Sequence, residues 1–230
     1  MGIVYDKIVE GGLAILLDPD KESQVNVDAI VANGQQAGAS LLLVGGSLVT
    51  KPLDDFVLNL RAKTSLPVVL FPGSAMQFTP NADGILLLSL ISGRNPDFLI
   101  GHHVAIAPML KHSGVEVVPT GYILIDGGAT TSVQYMSQTM PIPATKPEIA
   151  VATALAGELL GLKAIYLEAG SGSKNTVPAN LIEAVRKAIS VPLIVGGGIR
   201  TKQQYSDARN AGANLVVVGN GLEDNPQMFR

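Results

Sequence analysis

Eight short, uninterrupted apolar runs recur along the chain, at residues 13–17, 41–44, 68–71, 85–88, 122–125, 164–167, 193–195 and 215–218. Continuous apolar runs of this length mark strands covered on both faces, as in parallel sheets. Most of the intervals have helical spacing. Residues 145–160 open with Thr145 and Glu148 in a capping-box arrangement and carry Ile149, Ala152, Ala156 and Leu160 on one stripe. Residues 178–189 begin at Pro178 and present Leu181, Ile182, Val185 and Ile189. Residues 201–211 repeat the box with Thr201 and Gln204 and stop at Gly212. Strands alternating with helices make a parallel sheet, and 230 residues suit its closure into one (β/α)8 barrel, a TIM barrel spanning 1–230. One interval breaks the alternation. Only the 13 residues from Pro72 to Gly84 separate the third and fourth runs, and Pro72, Gly73, Pro80 and Gly84 are among them. A crossover with its helix takes about a dozen residues or more, so this helix is expected to be missing or cut to one turn. The barrel wall would then have an apolar gap, fit for an elongated apolar ligand or for another subunit.

Composition narrows the function. The net charge of −3 argues against a nucleic-acid surface. The absence of cysteine excludes disulfides, thiolate metal sites and cysteine nucleophiles. The first ten residues are charged and lack an apolar core, and no apolar stretch approaches the roughly 18 residues of a membrane span. A cytoplasmic protein is expected.

Barrel enzymes work with the loops that follow their strands. Gly196-Gly197-Gly198 follows the seventh run and Gly219-Asn220-Gly221 the eighth, the two places where such barrels commonly grip phosphate. After the sixth comes Tyr166-Leu167-Glu168-Ala169-Gly170-Ser171-Gly172. Alternation puts Tyr166 and Glu168 on one side and turns Leu167 toward the helices. Glu168 is therefore a candidate general base or hydroxyl anchor. Asp18 ends the first run and Ser47 follows the second, a sparse oxygen pair suited to Mg2+, which keeps several waters and completes its shell with substrate phosphate. Lys21 is placed to neutralise phosphate, Asp20 reads as a surface residue, and Arg94 and Asn95 are candidates for contacting a diphosphate. His102, His103 and His112 match no zinc spacing and are assigned structural or surface roles.

Taken together, LDPDK at 17–21, GGS at 45–47, FPG at 71–73, YLEAGSG at 166–172, GGGIR at 196–200 and GN at 219–220 resemble the geranylgeranylglyceryl phosphate synthases. That prenyltransferase family has archaeal members and bacterial relatives of the heptaprenylglyceryl phosphate synthase type. The resemblance runs from about residue 6 to the C-terminus, and YLEAGSG resembles the second of the family's two groups. It implies a barrel without its third helix and alkylation of the C3 hydroxyl of sn-glycerol 1-phosphate by a polyprenyl diphosphate. It further implies Mg2+ held by Asp18 and Ser47, and glycerol phosphate bound by Tyr166, Leu167, Glu168, Ala169, Gly170, Ser171, Gly172, Gly197, Gly198, Gly219 and Asn220. Tyr166 and Glu168 would be its catalytic pair, with Glu168 orienting or deprotonating the hydroxyl. Family members of this group are often dimers or hexamers, and a lipid substrate implies peripheral membrane contact. No DDxxD-type aspartate pair occurs, which excludes the all-helical chain-elongating prenyl synthases. Three rivals stand beside this reading: an isomerase using Asp18 with Asp126, an FMN-binding barrel using the same phosphate loops, and a non-catalytic phosphate-binding scaffold. Prenyl chain length and the role of residues 127–145 stay open.

Overall fold

In the computed structural model, which describes residues 2–21 and 25–229, the sheet closes. Strands β1 (Gly12–Leu17), β2 (Ala39–Val44), β3 (Val68–Leu70), β4 (Gly84–Leu90), β5 (Glu116–Leu124), β6 (Ala164–Glu168), β7 (Leu193–Gly196) and β8 (Leu215–Val218) pair in sequence order, all parallel. β1 returns to β8 through Gly12↔Leu215 to Ile15↔Val218. Side chains divide by strand alternation. Ala14, Leu41, Leu43, Val69, Leu86, Val118, Tyr122, Tyr166, Ile194, Leu215 and Val217 fill the barrel interior. Ile15, Leu42, Val44, Ile165, Leu167, Val195 and Val216 pack outward. The interior is a packed core, so chemistry is confined to the strand ends.

The helices are α1 (Ile3–Glu10), α2 (Val27–Gln36), α3 (Leu53–Lys63), α4 (His102–Ser113), α5 (Ser132–Ser137), α6 (Pro147–Leu159), α7 (Ala179–Ala188), α8 (Lys202–Asn210) and α9 (Asn220–Asp224). The α1 helix precedes the first strand and plugs the N-terminal end of the barrel with the buried Val4 and Ile8. Its free N-terminal amides, those of Val4 and Tyr5, are satisfied by the Glu116 carboxylate at 2.8 and 2.9 Å. Residues 71–83 between β3 and β4 contain no helix, as the short interval predicted.

Two local expectations are corrected. The α6 helix starts from Lys146 with Pro147 in its first turn, and Thr145 makes no cap. The fixed φ of proline at the first position sets that boundary instead. The face of α6 that packs on the barrel is Ala150, Ala154 and Gly157, while Ile149 and Leu160 are 45% and 79% exposed. Small residues let the helix axis approach. A Cβ on Gly157 would stand 2.8 Å from the Ile91 side chain and 3.0 Å from that of Ile165. By contrast α8 carries the expected capping box, with Gln204 N–H donating to Thr201 Oγ1 at 3.2 Å and Thr201 N–H to Gln204 Oε1 at 3.1 Å.

Candidate active site

The C-terminal ends of β1, β2, β6, β7 and β8 surround a polar cavity of about 250 Å3. Its walls include Asp18, Lys21, Ser47, Tyr166, Glu168, Ser171, Gly172, Gly197, Gly198, Gly219 and Asn220, which the sequence had singled out from five separate loops. Leu167, Ala169 and Gly170 are not in the wall. Leu167 is fully buried among the outward-packed residues, as alternation requires. The Ala169 N–H is used by Gly196 O at 3.1 Å, and the Gly170 N–H by Glu168 Oε1 at 2.6 Å. These three residues shape the loop from behind.

Glu168 is 6% exposed, and burial pushes its carboxyl up to about 7, against the opposing pull of the Gly170 N–H and the neighbouring Tyr166 hydroxyl. The Tyr166 hydroxyl is buried and, among the described residues, has no hydrogen-bond partner of good geometry. Burial and the adjacent Glu168 hold its pKa well above 10, so it stays a donor. The glycines of β7 make room for this pair. A Cβ on Gly196 would lie 2.2 Å from the Tyr166 hydroxyl, and one on Gly197 (φ +87°) 2.4 Å from Glu168 Oε1. Any larger residue would occupy the space of the catalytic candidates.

Asp18 turns Oδ1 to the Asp20 N–H at 3.0 Å. Its Oδ2 faces the Gly46 segment, 3.7 Å from where a Cβ on Gly46 would stand. Among the described residues no cluster of three or more His, Cys, Asp or Glu could enclose a metal. Asp18 and the Ser47 hydroxyl, both in the cavity wall, fit a Mg2+ that draws its remaining oxygens from water and diphosphate.

Lys21 donates to Glu223 Oε2 at 2.6 Å and to Asn220 Oδ1 at 3.1 Å, tying the β1 loop to α9. Because lysine only donates, the Asn220 amide must turn its NH2 elsewhere. Asp20 anchors the β2 loop by accepting from Thr50 N–H and Oγ1 and from Lys51 N–H, contacts that lower its pKa. Arg94 and Asn95 do not line this cavity. Arg94 binds the Gly93 carbonyl at 2.7 Å and Asn95 the Ser137 carbonyl at 3.1 Å. Asp126 is exposed, and its carboxylate takes the Gly128 N–H at 2.8 Å. An isomerase pair of Asp18 and Asp126 therefore does not form.

A second, apolar groove of about 80 Å3 opens beside the first, in the gap left by the missing helix. It is walled by residues 71–75, Ile85, Leu87, Leu88 and Leu90 of β4, Phe98, and His102, His103 and Ile106 of α4, with Val133 and Met136 of α5 as part of its lining. Gly46, Ser47, Phe71, Tyr122 and Val133 belong to both cavities. His102 and His103 thus line the groove, whereas His112 is exposed and turns its ring to the Pro108 carbonyl at 2.8 Å. His103 faces the Ser89 hydroxyl at 2.9 Å, and burial lowers its pKa.

Sequence reading missed Gln77, which is 4% exposed. Its amide receives the Gly73 N–H at 3.1 Å and gives to the Gly46 carbonyl at 2.9 Å, pinning the β3 loop to the loop that carries Ser47. A lone glutamine in a Pro- and Gly-rich stretch carries no signal of this. Phe71 and Tyr122 could have been found by the alternation that located Tyr166.

A closed parallel barrel with glycine loops after β7 and β8 and a buried carboxylate at its mouth is the frame of a phosphate-handling barrel enzyme. Residues 6–230 match the PcrB family, and the chain belongs to that family. The geranylgeranylglyceryl phosphate synthase of Spirosoma linguale is 49% identical over all of this chain and 93% of its own. That of Thermococcus gammatolerans is 44% identical over 91% of this chain and 83% of its own. Among solved structures, (S)-3-O-geranylgeranylglyceryl phosphate synthase from Thermoplasma acidophilum, in complex with its substrate sn-glycerol-1-phosphate, superposes with a TM-score of 0.89. It is 30% identical and covers 99% of this chain and 92% of its own.

Proposed function

We propose that this protein is a prenyltransferase that joins the C3 hydroxyl of sn-glycerol 1-phosphate to a polyprenyl diphosphate, geranylgeranyl diphosphate, through an ether bond, releasing pyrophosphate. One observation carries the reading: a glycine-lined polar cavity with a buried carboxylate opens, through a shared wall, into an apolar groove. A phosphorylated triol fragment and an apolar chain need such a pair of compartments.

The chain's own residues divide the work. The loops at Gly197, Gly198, Gly219 and Asn220, with Ser171 and Gly172, seat the phosphate and fix the glycerol. Glu168 receives the C3 hydroxyl and takes its proton, and the Tyr166 hydroxyl beside it orients that exchange. Asp18 and Ser47 would hold Mg2+, which when bound supplies positive charge to the leaving diphosphate. The Lys21 ammonium adds charge at the same mouth while positioning Asn220. The prenyl tail lies along β4 and α4 in the helix-free gap.

We assign the enzyme to the cytoplasm, working in peripheral contact with the membrane that receives its lipid product. Among the described residues no helix is long and apolar enough to cross a membrane. We also infer a homo-oligomer, a dimer or hexamer, because Tyr135, Met140, Leu159 and Leu160 are each 79–87% exposed.

The deciding experiment incubates labelled sn-glycerol 1-phosphate with Mg2+ and prenyl diphosphates of increasing length and counts the organic phase. Label in that phase, abolished by EDTA and restored by Mg2+, is the expected result. No transfer with any donor defeats the prenyltransferase reading, and EDTA-insensitive transfer defeats the metal.

A further inference from the structure

The wall between the two cavities is aromatic. Tyr122 stacks on Tyr166 at 5.3 Å between ring centroids with planes 27° apart. Phe71 stands 5.3 Å from Tyr166 and 6.1 Å from Tyr122. Tyr122 and Phe71 line both cavities, whereas Tyr166 lines only the polar one. Tyr166 takes one face of Tyr122, and the Tyr122 side chain lines the junction of the two cavities.

The position of the reacting carbon follows from the two compartments. The diphosphate belongs with Asp18 and Ser47, the accepting hydroxyl with Glu168, and the tail with β4 and α4. Carbon C1, bonded to the first, attacked by the second and continuous with the third, must pass the junction. We propose that Tyr122 is a further catalytic residue, its ring with that of Phe71 stabilising the allylic cation that develops at C1. This inference rests on the prenyl-transfer reading above.

The step balances without another reagent. The C1–O bond breaks with both electrons going to the diphosphate, leaving positive charge shared between C1 and C3 of the allyl unit. A lone pair on the glycerol C3 oxygen then fills C1, and the proton of that oxygen passes to Glu168. Water at the junction would capture the same cation and yield a free prenyl alcohol. A ring offers negative quadrupole without a nucleophilic atom, so it supports the cation without trapping it. Burial and the adjacent Glu168 hold the Tyr122 phenol well above its ordinary pKa, which keeps a reactive phenolate away.

The test grades the ring at constant shape. Tyr122→Phe serves as the reference, and phenylalanines bearing one, two and three fluorines replace its ring in turn. The single-turnover rate of ether formation is read at saturating sn-glycerol 1-phosphate. Alongside it, the affinity of a prenyl analogue with an ammonium nitrogen at C1 is measured with pyrophosphate present, and compared with a neutral carbon isostere. We expect the rate and the ammonium affinity to fall together with each fluorine while the neutral isostere binds alike throughout. Tyr122→Leu should lower the rate about 30-fold, the equivalent of one desolvated cation–π contact. A flat fluorine series, or equal losses for the charged and neutral analogues, overturns the role of Tyr122 while wild-type transfer still stands. Absence of transfer in the wild type overturns the reaction itself, and this inference with it.

Discussion

Glu168 shows how one side chain ties stability to activity. The folded protein holds its proton up to about pH 7, whereas the unfolded carboxyl releases it near 4.5. Between those values the folded state binds more protons, so stability falls as pH rises from 4.5 toward 7 and is level above. The full effect is roughly 3 kcal/mol. Glu168→Gln should remove that slope, which denaturant unfolding at several pH values would read. As the proposed base, Glu168 must be ionised, so kcat/KM of the wild type should rise with pH through about 7. The same Glu168→Gln change should lower turnover about 100-fold while leaving sn-glycerol 1-phosphate affinity nearly intact. Wild-type turnover in that variant would remove Glu168 from the mechanism. Alternation along one short strand was enough to pair Tyr166 with Glu168 from sequence. The space cleared for them by Gly196 and Gly197 was not legible, because it depends on what a neighbouring strand leaves empty.

Elements were legible wherever one periodicity governed them. The eight strands each emerged as an apolar run, but β5 begins at Glu116, six residues before the run at Tyr122. Pro119, Thr120 and Gly121 resemble a turn, yet they pair with Leu87, Leu88 and Ser89, and the Pro119 carbonyl accepts from Lys163 at 2.8 Å. Tertiary pairing overrode the local signal. The α1 plug escaped notice because its short apolar face is interrupted by charges. It nevertheless closes the barrel floor, and Ile8→Ala should cost about 2–5 kcal/mol in chemical denaturation. Gln77 does comparable service at the other end. Gln77→Ala strands the Gly46 carbonyl and Gly73 N–H, so a loss of about 1–3 kcal/mol is expected. Because the tethered loop carries Ser47, the variant should also need more Mg2+ for half-maximal transfer. An unchanged Mg2+ requirement would separate that loop from the metal.

At the scale of the whole molecule the barrel is uneven. The absent helix between β3 and β4 was the most consequential feature read in advance, and it followed from counting residues. What counting could not reveal is that α4 and α5 border the gap and turn exposed strand into a groove. Nor could it reveal that α6 gives its large side chains to the surface, since Ala150, Ala154 and Gly157 compete for the barrel by being small. The pairing of β3 with β4 rests on two register positions, Val69↔Gly84 and Leu70↔Ile85. β7 and β8 share as few, but α8 packs on β8 and α7 on α8. Hydrogen–deuterium exchange should therefore find the amides of Val69, Leu70 and Ile85 less protected than those of Ile165 to Leu167. Equal protection would mean that the gap is stiffer than its pairing.

The same seam leaves the closed sheet without its outer helix along one side. A ligand in most barrels must fit through the mouth whole, so its bulk is bounded by the rim. Here a long chain can bend over the rim into the groove left by the missing helix, its head among the strand ends and its far end outside the staves. The rim then limits only the head group, and the size of the lipid is decoupled from the diameter of an eight-stranded sheet.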